Sequence, residues 1–166
     1  MKKLSISVIY FFVLFSLINC VETEENLLFD YELFLNQKKA WKQTQPNNYQ
    51  YNFTWKNLGY GFKLGMGALI IVENGLYKDQ IINEDEMMME VSTEFQTIDK
   101  IYEHIESNYK RNLKENNKDF YLKNIEIEYD LENHIPLKTV FYYYVAPGAT
   151  DIGNSESYLI ENFKIH

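Results

Sequence analysis

Asp130-Leu131-Glu132-Asn133-His134 brings two carboxylates and an imidazole together in one short stretch, the arrangement in this chain closest to a metal site. Its spacing fits neither a calcium loop nor a zinc signature. It fits a turn between two strands, with Asp130 and Asn133 accepting backbone N–H groups. Glu84, Asp85, Glu86 and Glu90 crowd around Met87 to Met89 and could offer oxygens to Ca²⁺. Nothing in that spacing fixes a coordination shell, so the segment reads as a solvated charge run with adaptable methionines. Hydrolysis by a serine needs a base and an orienting group. His104 falls on the polar side or edge of a helix, His134 in a turn and His166 at the end, and no Gly-x-Ser-x-Gly context accompanies them. No cofactor and no catalytic residue is expected. The remaining nucleophile is Cys20, the chain's only cysteine.

The context of Cys20 points to modification rather than catalysis. Met1-Lys2-Lys3 is followed by the apolar run Leu4 to Ile18, in which Val8 to Leu17 reads as the hydrophobic core of an export signal. The run contains Ser5, Ser7 and Ser16 and is shorter than a membrane span requires. Leu17-Ile18-Asn19-Cys20 resembles the lipobox of bacterial lipoproteins, which implies cleavage before Cys20 and acylation of its thiol. Two or three acyl chains hold a protein on a bilayer stably, whereas one holds it marginally. The alternative is an ordinary signal peptide with an unrelated cysteine, since Asn19 is larger than the residue usual at that place. The expected organisation is a signal peptide over 1–19, a short acidic tether over 20–26 and one domain over 27–166.

Loss of Lys2 and Lys3 with the leader takes the formal charge from −8 to −10. Such a balance excludes nucleic acid as a partner held by a basic surface. With one cysteine there is no internal disulfide, so stability must come from a core supplied by 14 Tyr, 11 Phe and 2 Trp.

The elements that would position these residues follow from periodicity. Leu27, Tyr31, Phe34 and Trp41, widened by Phe29 and Leu33, predict a first helix over Leu27 to Gln43, capped by Asn26 and ended at Pro46. Tyr49, Tyr51, Phe53 and Trp55 alternate with polar residues as in a strand with one buried face. Gly59 to Gly67 predicts a flexible loop or distorted hairpin. Ala68 to Val72 and Tyr77 to Ile82 predict two further strands around Asn74-Gly75, a pair suited to a turn with both residues at positive φ. Thr97 caps a second helix lined by Ile98, Ile101, Tyr102, Ile105, Tyr109 and Leu113, with Lys100, Glu103, Glu106 and Lys110 toward water and Asn116-Asn117 closing it. Strands around Ile125 to Tyr129, Val140 to Val145 and Tyr158 to Ile165 complete the chain, with Asp130 to Pro136 as a turn and Ala146 to Ser155 as a loop.

Short connections exclude parallel crossovers. The expected fold is α+β: an antiparallel sheet of about five to six strands with two helices packed on one face. Within Phe141-Tyr142-Tyr143-Tyr144 one pair must then be buried and the other must stand on the open face. Tyr142 and Tyr144, with Tyr60 and Phe62 of the glycine-rich segment, are the candidate binding surface.

Trp41, Tyr49-Gln50-Tyr51, Ile71-Val72-Glu73-Asn74-Gly75, Thr97-Ile98-Asp99 and Tyr129-Asp130 with Pro136 recur in an order that resembles the domain-of-unknown-function family 6174 of bacterial lipoproteins. The resemblance covers most of Phe29 to Phe163 and implies this fold and an exported location. It carries no activity. Where that family commonly has glycine before the proline, this chain has Asn133-His134-Ile135-Pro136, and Asn133 is expected to supply the left-handed conformation. The cysteine common near the end of the first strand is missing from Lys56 to Phe62, so no disulfide carries over. The resulting expectation is a lipid-anchored envelope protein, non-enzymatic, contacting the membrane through acylated Cys20 and an envelope or extracellular protein or glycan through its open sheet face. The alternative is a small-ligand carrier or enzyme with a tyrosine-lined pocket between sheet and helix and His134 or Asp130 at its mouth.

Overall fold

The computed structural model describes residues 27–57, 64–82, 91–114, 120–145 and 155–166. Cys20 and its leader, Tyr60, Phe62, the acidic methionine segment 83–90, Asn116-Asn117 and residues 146–154 lie outside them. Helix α1 runs over Tyr31–Thr44, followed by strands β1 (Tyr49–Asn57), β2 (Leu64–Glu73) and β3 (Leu76–Ile82). A short 3₁₀ turn at Thr93–Phe95 leads into α2 (Ile98–Asn112), then β4 (Phe120–Asp130), β5 (Ile135–Val145) and β6 (Ser155–Ile165).

Helix α1 starts later than its apolar stripe suggests, because Asp30 rather than Asn26 caps it: Asp30 Oδ1 accepts the Leu33 N–H at 2.9 Å. Upstream, Leu28 is extended and exchanges backbone hydrogen bonds with the β4 edge, so this stretch is not helical. Phe34 and Trp41, two turns apart, are the fully buried pair, whereas Leu33 is 40% exposed and does not widen the stripe. At its end Gln45 turns extended, as the residue before Pro46 must. Helix α2 is capped by Thr97, whose Oγ1 accepts the Lys100 N–H at 3.2 Å. Its buried stripe runs Ile98, Ile101, Tyr102, Ile105 and then Asn108; Leu113, expected to continue it, is exposed past the helix end. The Asn112 side chain exchanges two hydrogen bonds with the Leu122 backbone and ties that end to β4.

The six strands form one antiparallel sheet in the order β3-β2-β1-β6-β5-β4. The chain therefore makes two meanders, each preceded by a helix. They join where β1 pairs with β6, so the last strand sits mid-sheet. Gly65 and Gly67 belong to β2 rather than to a loop. Asn74 (φ 54°) and Gly75 (φ 73°) are both left-handed in the two-residue connection from β2 to β3.

Side chains on the inner face follow the pleat: Tyr49, Tyr51 and Phe53 lie opposite Val72, Ile70 and Ala68, all buried. Asn162, at φ 53°, shifts the register of β6 so that Ile160 and Phe163 both turn inward. Trp41 of α1 meets Tyr49 edge-on at 5.6 Å, and the backbone N–H of Ile98 in α2 reaches the Tyr49 hydroxyl at 3.3 Å. The helices meet through Phe34 and Tyr102 and through Glu106, which bonds Lys38, Lys110 and Tyr31. Glu106 is thus drawn into the helix contact instead of pointing to water. Its carboxyl is held down to about 2, chiefly by the hydrogen bonds from Lys110 and Lys38. No helix among the described residues is long and apolar enough to cross a membrane.

Candidate functional site

Two groups of polar and aromatic side chains stand out, one on each face of the sheet. The inner one centres on His104, midway along α2. Periodicity leaves His104 at the edge of the helix, but the sheet closes over that edge. Phe95 of the 3₁₀ turn packs on the ring at 4.9 Å, and Tyr158 of β6 approaches it at 5.6 Å. Glu94 lies 3.2 Å from Nδ1, while Nε2 has the Tyr158 hydroxyl at 2.8 Å and Asn108 Nδ2 at 2.7 Å. Glu156, two residues along β6, takes the Tyr158 O–H at 2.8 Å, the Trp55 indole N–H at 2.6 Å and the Tyr143 O–H at 3.3 Å. Arg111 closes the other side by donating to Asn108 Oδ1 at 2.5 Å.

Burial sets the electrostatics of this chain of groups. It drives the Tyr158 phenol far above the ordinary tyrosine range, with the Glu156 carboxylate adding to the effect. Tyr143 is raised for the same two reasons. His104 is pushed below the usual imidazole range by desolvation, and Glu94 and Glu156 pull partly the other way. Tyr158 thus keeps its proton and is no nucleophile, and at 1% exposure it cannot touch a substrate. The arrangement links Glu94 to Glu156 through the His104 ring and the Tyr158 hydroxyl. The Glu94 and His104 end reaches a surface cleft of about 400 Å³, lined also by Thr93, Lys100, Glu103 and Ser107. A second cleft of about 250 Å³ beside Arg111 and Asn112 is floored by Phe120 and Tyr143.

The outer group belongs to β4 and β5. Phe141 and Tyr143 point inward and Tyr142 and Tyr144 outward, as the pleat requires. Tyr144 stacks on Tyr121 of β4 with centroids 4.9 Å apart. Tyr142, 37% exposed, donates to Glu126 Oε2 at 3.1 Å, and Asn124 donates to the other oxygen at 2.9 Å. The corner therefore offers ring faces beside oriented carboxylate and amide groups.

The structure separates the remaining candidates from both groups. Asp130 accepts the N–H groups of Glu132 and Asn133 at 2.9 and 3.2 Å, and its second oxygen takes the Asn133 amide at 2.8 Å. Asn133 donates here, contrary to the expectation that it accepts backbone N–H groups. The left-handed residue of this turn is His134 (φ 57°), not Asn133, so the reversal falls one residue later than expected, immediately before β5. His134 Nδ1 meets Gln37 at 2.9 Å, and its carbonyl takes the Tyr102 O–H at 2.8 Å. Neither Asp130 nor His134 stands at the mouth of the two clefts beside His104 and Arg111. Pro136 is buried near the start of β5, opposite Tyr129. Among the described residues no three His, Cys, Asp or Glu side chains gather where a metal ion could be held.

The residues missed from the sequence are Glu156, Tyr158 and Asn108. Tyr158 and Glu156 reach His104 only through the β1–β6 and β5–β6 pairings, a long-range register. Asn108 had a local signal, since it follows Ile101 and Ile105 on the buried stripe at helical spacing. The fold defines an α+β domain with a six-stranded antiparallel sheet. No protein-family model, no curated protein and no solved structure matches this chain.

Proposed function

We propose that this chain is an exported, lipid-anchored envelope protein and that its domain is a non-enzymatic binding module, working through the outer sheet face. The lipobox-like segment ending at Cys20 and the resemblance to family 6174 support the anchoring. The observation that carries the binding reading is the outer corner, where the exposed Tyr142 ring and the half-buried stacked pair Tyr121 and Tyr144 sit with Glu126 and Asn124. Rings with a polar handle suit protein or glycan surfaces, which present apolar patches edged by hydroxyl and amide groups. The inner tyrosines are buried in the fold, whereas Tyr142 is exposed on the outer face.

A photoreactive phenylalanine analogue at position 142 in intact cells tests the binding face, with the same analogue at exposed Leu131 as the control. A discrete adduct from position 142 alone is expected. Equal adducts from both positions, or none from either, contradict the reading. Anchoring is read separately by labelling with a fatty-acid analogue, which should mark the wild type and not Cys20→Ser.

The rival reading, a small-ligand carrier or enzyme, draws on the cleft of about 250 Å³ beside Arg111 and Tyr143. It requires a small molecule whose binding is lost in Arg111→Ala and kept in Tyr142→Ser.

A further inference from the structure

The hydrogen bonds around His104 cannot all be satisfied in both of its protonation states, and the mismatch has a direction. Arg111 has donors only, so the Asn108 atom 2.5 Å from it must be the oxygen. The Asn108 NH₂ then faces His104 Nε2 at 2.7 Å and also reaches the His104 carbonyl at 3.2 Å. An NH₂ facing a ring nitrogen at that distance requires Nε2 to be the acceptor. His104 is accordingly the neutral tautomer with its proton on Nδ1, aimed at Glu94. Its single Nε2 lone pair has a second suitor in the Tyr158 hydroxyl, whose one hydrogen is also within reach of Glu156.

Adding a proton to Nε2 resolves one conflict and creates another. The imidazolium donates from Nδ1 to Glu94 and from Nε2 to the Tyr158 oxygen, and Tyr158 donates onward to Glu156. Every donor along that line has an acceptor. At Asn108, however, two donors now face each other inside hydrogen-bond distance. The amide can meet Nε2–H only by turning half a revolution to present Oδ1, which withdraws Oδ1 from Arg111 and puts an NH₂ against the guanidinium.

We propose that His104 is a pH-operated switch in which protonation turns the Asn108 amide and releases the Arg111 guanidinium from its hydrogen bond to Asn108 Oδ1, at the cleft Arg111 lines with Asn112, Phe120 and Tyr143. The groups that face it are Glu94 from the 3₁₀ turn, Lys100, Glu103 and Arg111 from its own helix, Tyr158 and Glu156 from β6 and, through Glu156, Tyr143 from β5. The carboxylates draw the proton in, while Arg111 and burial among Phe95, Phe141 and Tyr158 resist it. Acid thus frees a cation beside the cleft of Asn112, Phe120 and Tyr143. The switch does not depend on the anchor at Cys20 or on the outer sheet face.

The test is nitrogen-15 NMR of the full chain in detergent, with histidine, asparagine and arginine labelled, followed from pH 7.5 to pH 4.5. The expected result is that the Asn108 side-chain amide and the Arg111 guanidinium signals move with the His104 imidazole and share its midpoint. In Asn108→Ala, His104 should still titrate while the Arg111 shift that accompanies it falls to a small part of the wild-type shift. Constant Asn108 and Arg111 signals through the His104 midpoint overturn the proposal. So does an Arg111 shift as large in Asn108→Ala as in the wild type, because direct charge coupling then accounts for all of it.

Discussion

Phe141 and Tyr142 are neighbours in β5, yet the first is fully buried and the second is 37% exposed. The same division runs through Tyr143 and Tyr144. Tyr143 is raised in pKa chiefly by burial, whereas Tyr142 is raised chiefly by its hydrogen bond to Glu126 on an open surface. Residue type is therefore a poor guide to role in a chain this rich in tyrosine. Pleat parity decides it: the inner set builds the core and the polar line from His104 to Glu156, and the outer set stands on the other face of the sheet.

The sharpest way to break this contrast is a matched pair of truncations. Phe141→Ala should cost about 3–5 kcal/mol, as for large aromatic deletions in cores, and Tyr142→Ala less than about 1 kcal/mol. Urea unfolding of the two variants measures both. Similar losses would mean that the outer face is packed after all.

A smaller effect is expected inside the polar line. Tyr158→Phe keeps the ring but removes the hydroxyl between His104 and Glu156, which should cost about 1–3 kcal/mol. The same unfolding assay checks it. A neutral result would show that the line adds nothing to the fold.

Acid sharpens the comparison further, because the two ionisable clusters, around His104 and around Glu106, respond in different windows. His104 has a folded value below the usual imidazole range, so its contribution is fully present above about pH 6.5 and is lost as the pH falls through the folded value. Glu106 is lowered from 4.5 to about 2, so its contribution is present above 4.5 and is lost only as the pH falls toward 2. Thermal melts across pH should show the first step vanish in His104→Gln and the second vanish in Glu106→Gln.

The smallest effect concerns Thr139, whose hydroxyl is buried on the inner face with no hydrogen-bond partner among the described residues. Thr139→Val keeps the shape and removes that group. It should stabilise by about 1 kcal/mol, read as a raised melting temperature.

Much of this division was legible beforehand because it rests on local patterns. Alternation from Tyr49 to Trp55, the Asn74-Gly75 pair, the Thr97 cap and the stripe through Ile105 each specify an element without long-range information. The α+β class and the antiparallel sheet follow from those and from short connections. Strand order was not legible, since nothing near Tyr158 says that β6 will lie between β1 and β5. With the order hidden, the partners of His104 were hidden too, because they come from the 3₁₀ turn, α2 and β6. The cap at Asp30 was missed because the apolar stripe continues upstream into Leu27 and Phe29, which pack as extended chain. The Asn133 assignment failed because residue type favours Asn at a left-handed position but the length of the turn decides where it falls, and here it falls on His134.

The claim that the outer face binds and the inner face folds is tested most directly by the double variant Tyr142→Ser with Tyr144→Ser, carried with a photoreactive analogue at position 126. The account predicts an unfolding free energy within about 1 kcal/mol of the single-site analogue protein and crosslinked partner reduced at least about tenfold. Unchanged crosslinking with intact folding would contradict it.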